Sequence, residues 1–352
     1  MFDWLWQRLG MDAATRQRKA ALLQAIELVV DGSDGRLRLL SGYQQRLLPG
    51  MQRSMDYLTS LPWQRIEPLE LSLRGFATDR RLGLLFANPL SLLLLLKSSP
   101  ALQSFFLSAS QGDDAWAMMS MCRSETARFG MTEHNGEIRS DVAQLVVSFD
   151  QHRLMDPSAS PEDLQQSVHN RGLTVLVAVI GRRLRLLQQM RLDLQSELEQ
   201  VQLKLATCGR GGSMVIDATG NDGTSRAALP EDEAGLRRRE VELQQQMQPL
   251  ATLGELSGIL DVVCQVLEQP ADFFRIEAET IYLNRMGVRH ERQDADDVTA
   301  LSFEHVVLGQ LQPITRAIVP VHINRHALRE LEQQFADELA SLEQQQQQSG
   351  LF

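Results

Sequence analysis

The sequence predicts a mainly α protein with a small β-sheet, an α+β fold, and three observations carry that prediction. The apolar content is rich in leucine and poor in aromatics, which make up 5% of the chain, as in cores built from helices. Residues 180 to 205 hold an unbroken heptad seam, apolar at every position but one arginine. A few short segments after residue 130 switch from the helical period to the alternation of half-buried strands.

Residues 1–130 read as a helical N-terminal domain. Helices are expected over 12 to 30, 35 to 60, 89 to 97, 100 to 109 and 113 to 129, separated by Gly, Pro and Ser-Asp breaks. Asn88-Pro89 and Ser99-Pro100 each supply an N-cap followed by a proline in the first turn. The most apolar stretch, Leu82 to Leu96, falls short of the roughly 20 residues needed to cross a bilayer and is interrupted at Asn88-Pro89. It reads as two buried pieces.

Alternation begins after Gly130. Leu145, Val147 and Phe149 fall on one face of a strand expected over 140 to 150, with Ser148, Asp150 and His152 on the other. Further strands are expected at 273 to 283 and 314 to 323, with Pro320 placing the last at a sheet edge or a bulge. Residues 131–172 and 269–325 thus form a small mixed α+β body.

Ser160-Pro161 opens a helix that runs to about residue 206. From Ile180 its apolar positions continue through Leu184, Leu187, Leu194, Leu198, Val201 and Leu205, with Arg191 the one charged seam residue. A Gly-rich, aperiodic stretch over 207–231 reads as a flexible loop. A second helical stretch follows through Leu236, Leu243 and Leu250 to Leu267, with Pro249 and Gly254 marking a kink. Two apolar stripes flanking one loop fold back on each other, so 173–268 is expected to be a long antiparallel coiled-coil hairpin inserted into the body. Residues 326–352 close the chain as an amphipathic helix with a Gln-rich tail.

The net charge of -10 and a pI near 5.3 argue against a dedicated nucleic-acid binder. Only three of the 35 basic residues are lysine; this reads as base composition acting on codons, and composition gives the expectation of a bacterial source. Three scattered cysteines with no C-x-x-C pair fit a reducing compartment, and the first residues lack the marks of a signal peptide. A cytoplasmic protein is expected.

Candidate chemistry is sparse. Glycines 209, 211 and 212 follow a helix instead of a strand and lack the Gly-Lys-Ser/Thr of a phosphate loop. Asp217 to Gly223 puts Ala218 and Gly220 where a calcium loop needs ligands. Ser148, Asp150 and His152 supply the residue types of a hydrolase triad, yet alternate residues of a strand stand about 7 Å apart and point the same way. His322 and His326 have the spacing of a helical metal pair, with His290 or His305 as further ligands, but the element changes between them. Asp294, Asp296 and Asp297 read as a solvated acidic loop. No cofactor is implied.

The reading that follows is a non-catalytic interaction or scaffold protein. Its coiled-coil arm binds a protein partner or a second copy through Leu184, Leu187, Arg191, Leu194, Leu198, Leu243 and Leu250. One alternative is an enzyme or ligand-binding protein with a site on the α+β body near Asp150 and His152. Another is a peripheral membrane protein anchored by Phe2, Trp4, Leu5, Trp6 and Leu9.

Overall fold

The computed structural model describes residues 13–61, 66–108, 112–134, 137–208, 229–230, 232–292 and 297–349. The N-terminal aromatic segment, the glycines at 209, 211 and 212, the Asp217–Gly223 stretch, and Asp294 and Asp296 lie outside the described residues.

The elements in chain order begin with α1 (Ala13–Ser33), α2 (Tyr43–Ser60), β1 (Leu69–Glu70), α3 (Leu73–Thr78), α4 (Arg80–Leu85), α5 (Pro89–Ser98) and α6 (Pro100–Leu107). Two long strands follow, β2 (Asp114–His134) and β3 (Glu137–Ser158), then α7 (Pro161–Cys208), α8 (Glu233–Met247) and α9 (Leu256–Glu268). The chain ends with β4 (Phe274–Leu283), β5 (Arg289–His290), β6 (Thr299–Leu308), β7 (Ile314–Asn324) and α10 (Arg325–Ser349). The fold is α+β, and it divides into two compact units: Met1–Met55 with Leu176–Pro270, and Asp56–Val175 with Ala271–Phe352.

In the first unit α1 crosses α7 where two glycines meet. A Cβ on Gly181 would stand 2.7 Å from the carbonyl of Gly32, and one on Gly32 would stand 2.1 Å from Val177. Ser54 is fully buried and donates to the carbonyl of Leu267 at 2.8 Å, fastening α2 to the end of α9. Between α8 and α9 the chain passes through a 3-10 segment, Gln248–Gly254, and turns by 98°. The kink expected at Pro249 and Gly254 is therefore a sharp break. Gly258 permits it, because a Cβ there would stand 2.1 Å from the carbonyl oxygen of Thr252.

The second unit is organised by a seven-stranded sheet in the order β3-β2-β7-β6-β4-β5, with β1 added beside β7. All pairings are antiparallel except β1 with β7. The sheet curls until its ends meet: Val146 of β3 bridges to Val288 beside β5, and the Val147 N–H donates to the Gly287 carbonyl at 2.8 Å. Gly287 has φ +75 and its absent Cβ would stand 2.7 Å from the Val147 carbonyl oxygen, so only glycine fits this contact without strain. Helix α4 touches both β3 and β6. One apolar core joins Leu82, Leu92, Leu96 and Leu102 of the helices to Met119, Phe149, Phe303 and Val321 of the strands and to Leu331 of α10. On another face, Met118 packs with Leu164 and Val168 of α7.

The helix expected over 113 to 129 is instead most of β2. Its Ala, Met, Arg and Glu content suits a helix, but Ala115, Ala117, Met119 and Met121 are buried at alternate positions between β3 and β7. Pairing on both sides overrides propensity. The Pro320 expectation also changes. Proline sits in a strand with neighbours on both sides, but opposite the gap between the last β6 pairing at Ile318 and the first β1 pairing at Val321. The missing N–H thus falls at a break in the ladder.

The caps agree with the sequence. Asn88 and Ser91 form a capping box at the start of α5, and Ser99 accepts from the Leu102 N–H at the start of α6. Among the described residues no single helix is long and apolar enough to cross a membrane; α5 and α6 together meet the length and composition but bend by 69°, and their leucines Leu92, Leu93, Leu95 and Leu96 are buried.

Candidate functional site

The curled sheet brings charge to the place where its ends meet. On β2, Arg123 and Glu125 follow Met119 and Met121 along one face, so the lining turns from apolar to charged within two residues. Arg123 holds Glu279 of β4 at 2.7 Å and Glu125 through its Nε at 3.0 Å. Arg289 donates to Glu125 at 3.3 Å, and His305 of β6 lies 3.7 Å from Glu279. The Arg123 guanidinium also stands 5.6 Å from the ring centre of Phe303, itself in edge contact with Phe149. Burial works against the Arg123 charge, and the hydrogen bonds it donates to Glu279 and Glu125 more than restore it, holding its pKa above the ordinary value.

Just outside, Arg316 of β7 donates to the Cys122 thiol sulfur at 2.6 Å, and that thiol donates to the Gln151 side-chain oxygen at 3.4 Å. The elements of a recognition site are thus an arginine over an aromatic ring, two carboxylates and a histidine, while the Cys122–Arg316 pair lies on the opposite face of the sheet, with Met118 and Ile318. No sequence argument singled out Arg123, Glu125, Glu279 or Arg289. The available signal was like placement of charges two apart on strands, Arg123 with Glu125 and Glu277 with Glu279.

The triad residues are separated. Gln151 takes φ 50, and between the pairs Ser120–Arg153 and Cys122–Asp150 two residues of β3, Gln151 and His152, oppose the single Met121 of β2. This bulge turns His152 to the opposite face from Ser148 and Asp150. His152 stacks on Phe86 with ring centres 4.6 Å apart, and burial pushes its pKa below the ordinary value against the pull of Asp150 and a backbone hydrogen bond with Leu85. Asp150 and Ser148 are exposed.

His322 and His326 stand beside β2's first residues. His322 is 2.9 Å from Asp114 and stacks against Trp116; His326 is 3.3 Å from Asp113. Asn324 also donates to Asp114 at 2.8 Å; that bond, with the bond from His322, outweighs burial and lowers the Asp114 pKa. Among the described residues no group of three or more His, Cys, Asp or Glu is placed to hold a metal ion.

Of the proposed partner-binding residues, Leu184, Leu243 and Leu250 are buried. Leu194 and Leu198 of α7 pack against a buried cluster of Val201, Leu236 and Leu243. Leu187 and Arg191 are half-buried, and a Cβ on Gly254 would stand 2.8 Å from the Arg191 guanidinium. Arg239 to Glu197 at 2.7 Å and Gln202 to Glu240 at 3.0 Å flank this seam. Leu184, Leu243 and Leu250 are thus covered within the chain, while Met190, Leu192, Leu203 and Val241 are exposed.

Comparison with protein-family models, with curated proteins and with solved structures gives no match.

Proposed function

We propose that the chain is a non-catalytic interaction or scaffold protein of the cytoplasm whose arm is an antiparallel coiled-coil hairpin, made of α7 beyond Leu176 and the returning α8. The arm binds a protein partner or a second copy. The observation that carries the reading is the division of its apolar residues. Leucines at heptad positions fill the seam between α7 and α8, while Leu192 and Leu203, each 58% exposed, remain uncovered. Eleven residues are close to three helical turns, so these two leucines share a face. Val241 is also exposed and follows Glu240, the partner of Gln202. The residues that meet a partner are then on the outer surface, with the seam residues holding the arm together.

The test is excision of the distal arm. Residues 193–247 are replaced by a short Gly-Ser linker, keeping Leu267 for Ser54, and both forms are run by size-exclusion chromatography with light scattering and in pull-downs. A complex formed by the intact chain and lost on excision supports the proposal; equal behaviour of both forms rejects it.

A second reading rests on a separate observation. Arg123 and Phe303, with Glu279 and His305 beside them, form a charged end to a curled sheet, and barrel mouths are common places for small-ligand sites. In that reading the chain binds a small polar ligand.

A further inference from the structure

We propose that the free edge of β2, from Arg123 to Phe129, pairs antiparallel with the same edge of a second copy of the chain, joining two β2–β3 ribbons into a four-stranded sheet. Strand β2 pairs with β7 only from Asp114 to Met121, and from Cys122 onward its one strand partner among the described residues is β3. Nine consecutive pairs, Cys122 with Asp150 through Gly130 with Val142, run without a register shift. Ser124 to Phe129 are exposed one after another, on both faces of the ribbon, and Phe129 is 79% exposed. A free strand edge is a row of N–H and C=O groups ready to take another strand, and folded proteins commonly guard it with lysine, proline or a bulge. The run from Cys122 to Gly130 contains none of the three. Two strands alone are marginal in water, and added strands remedy that.

The occupant is a second copy because the edge matches itself. In an antiparallel pair, directly opposed side chains share a face of the sheet. A two-fold axis normal to the sheet leaves every residue on its own face, so the axis must pass through a residue. At Glu125 or Arg128 it would set like charges against each other, which is unfavourable. At Thr126 or Ala127 neither charge opposes its own kind. With Thr126 on the axis, Thr126 faces Thr126, Ser124 faces Arg128 and Glu125 faces Ala127. Phe129 gains a neighbouring strand on its open side. The contact is isologous and closes at two copies.

Site-specific cross-linking of the full chain tests this, with the three native cysteines replaced by serine and the arm blocked by Leu192→Glu, Leu203→Glu and Val241→Glu. Blocking the arm removes only what the arm adds to the edge dimer, so the two proposals fail separately. Thr126→Cys or Ala127→Cys is expected to give an inter-copy disulfide on oxidation in dilute solution. Ser148→Cys, on β3 opposite Ser124, is expected to give none, because the two β3 strands stand three strand spacings, about 14 Å, apart. In sedimentation velocity the arm-blocked chain is expected at twice the 39.6 kDa of one copy, and adding Thr126→Lys with Ala127→Lys returns it to one. A monomer before the lysines are added, a dimer that survives them, or equal cross-linking at all three positions overturns the proposal. Where the lysine variant loses its circular dichroism, cross-linking decides.

Discussion

Replacing Gly287 with alanine tests the closure of the sheet at a single atom. The backbone there has φ +75, where a side chain costs about 1–2 kcal/mol. The new Cβ would stand 2.7 Å from the Val147 carbonyl oxygen, so strand β3 must retreat and the Val147 to Gly287 hydrogen bond at 2.8 Å is lost. That bond contributes about 1 kcal/mol. Together the loss is about 2–3 kcal/mol, or about 5–10 °C in the melting temperature of a unit of this size. Urea and thermal unfolding followed by circular dichroism measure it. Gly83→Ala is the matched control with the opposite sign: Gly83 is an exposed position of helix α4 and nothing lies within 4 Å of its added Cβ, so it stabilises by about 0.5–1 kcal/mol. A Gly287→Ala loss below about 0.5 kcal/mol would refute the argument that the closing contact requires glycine.

Three further predictions follow from packing and charge. Leu243→Ala, at a fully buried position of α8 packed with Val201 and Leu236, costs about 2–5 kcal/mol in chemical denaturation, whereas Leu192→Ala stays within about 0.5 kcal/mol; equal losses would mean that α7 and α8 do not meet at Leu243. Asn88→Ala removes the cap of α5 and lowers stability by about 1 kcal/mol, with Asn88→Ser retaining most of it in the same assay. Burial lowers the folded-state pKa of His152, so the unfolded chain takes up its proton more readily. Stability is full above the ordinary value of 6.5 and falls as pH drops below it. Unfolding free energies at pH 7.5 and pH 5 compare the intact chain with His152→Phe, which keeps the stacking partner of Phe86; the variant is expected to lose less on acidification.

Helix starts and the long α7 were legible because their signals are local. Asn88, Ser99 and Ser160 each precede a proline and serve as caps, and the heptad from Leu184 to Leu205 needs no knowledge of distant residues. Strand β2 was not legible, since Trp116 and Met118 on one face and Met119 and Met121 on the other are all apolar. Burial on two faces erases alternation. The displacement of His152 from Asp150 was hidden for a different reason: a bulge at Gln151 depends on the opposing strand, not on its own sequence. The charged cluster around Arg123 assembles residues 123, 125, 279, 289 and 305, and only the curl of the sheet brings them together. On α7 the heptad residues Leu184 and Val201 are buried, but sequence alone could not distinguish a stripe covered within the chain from one left for a partner.

The outer surface of the arm is the central claim, and the most direct measurement compares the intact chain with a Leu192→Glu, Leu203→Glu, Val241→Glu variant. All three positions are more than half exposed, so the variant is expected to fold unchanged by circular dichroism. Sedimentation velocity and quantitative pull-down from native lysate are run on both. A dimer or a specific complex formed by the intact chain and lost from the variant is the predicted result. An intact chain that sediments as a monomer and captures nothing, or a variant that forms the same complex, would contradict it.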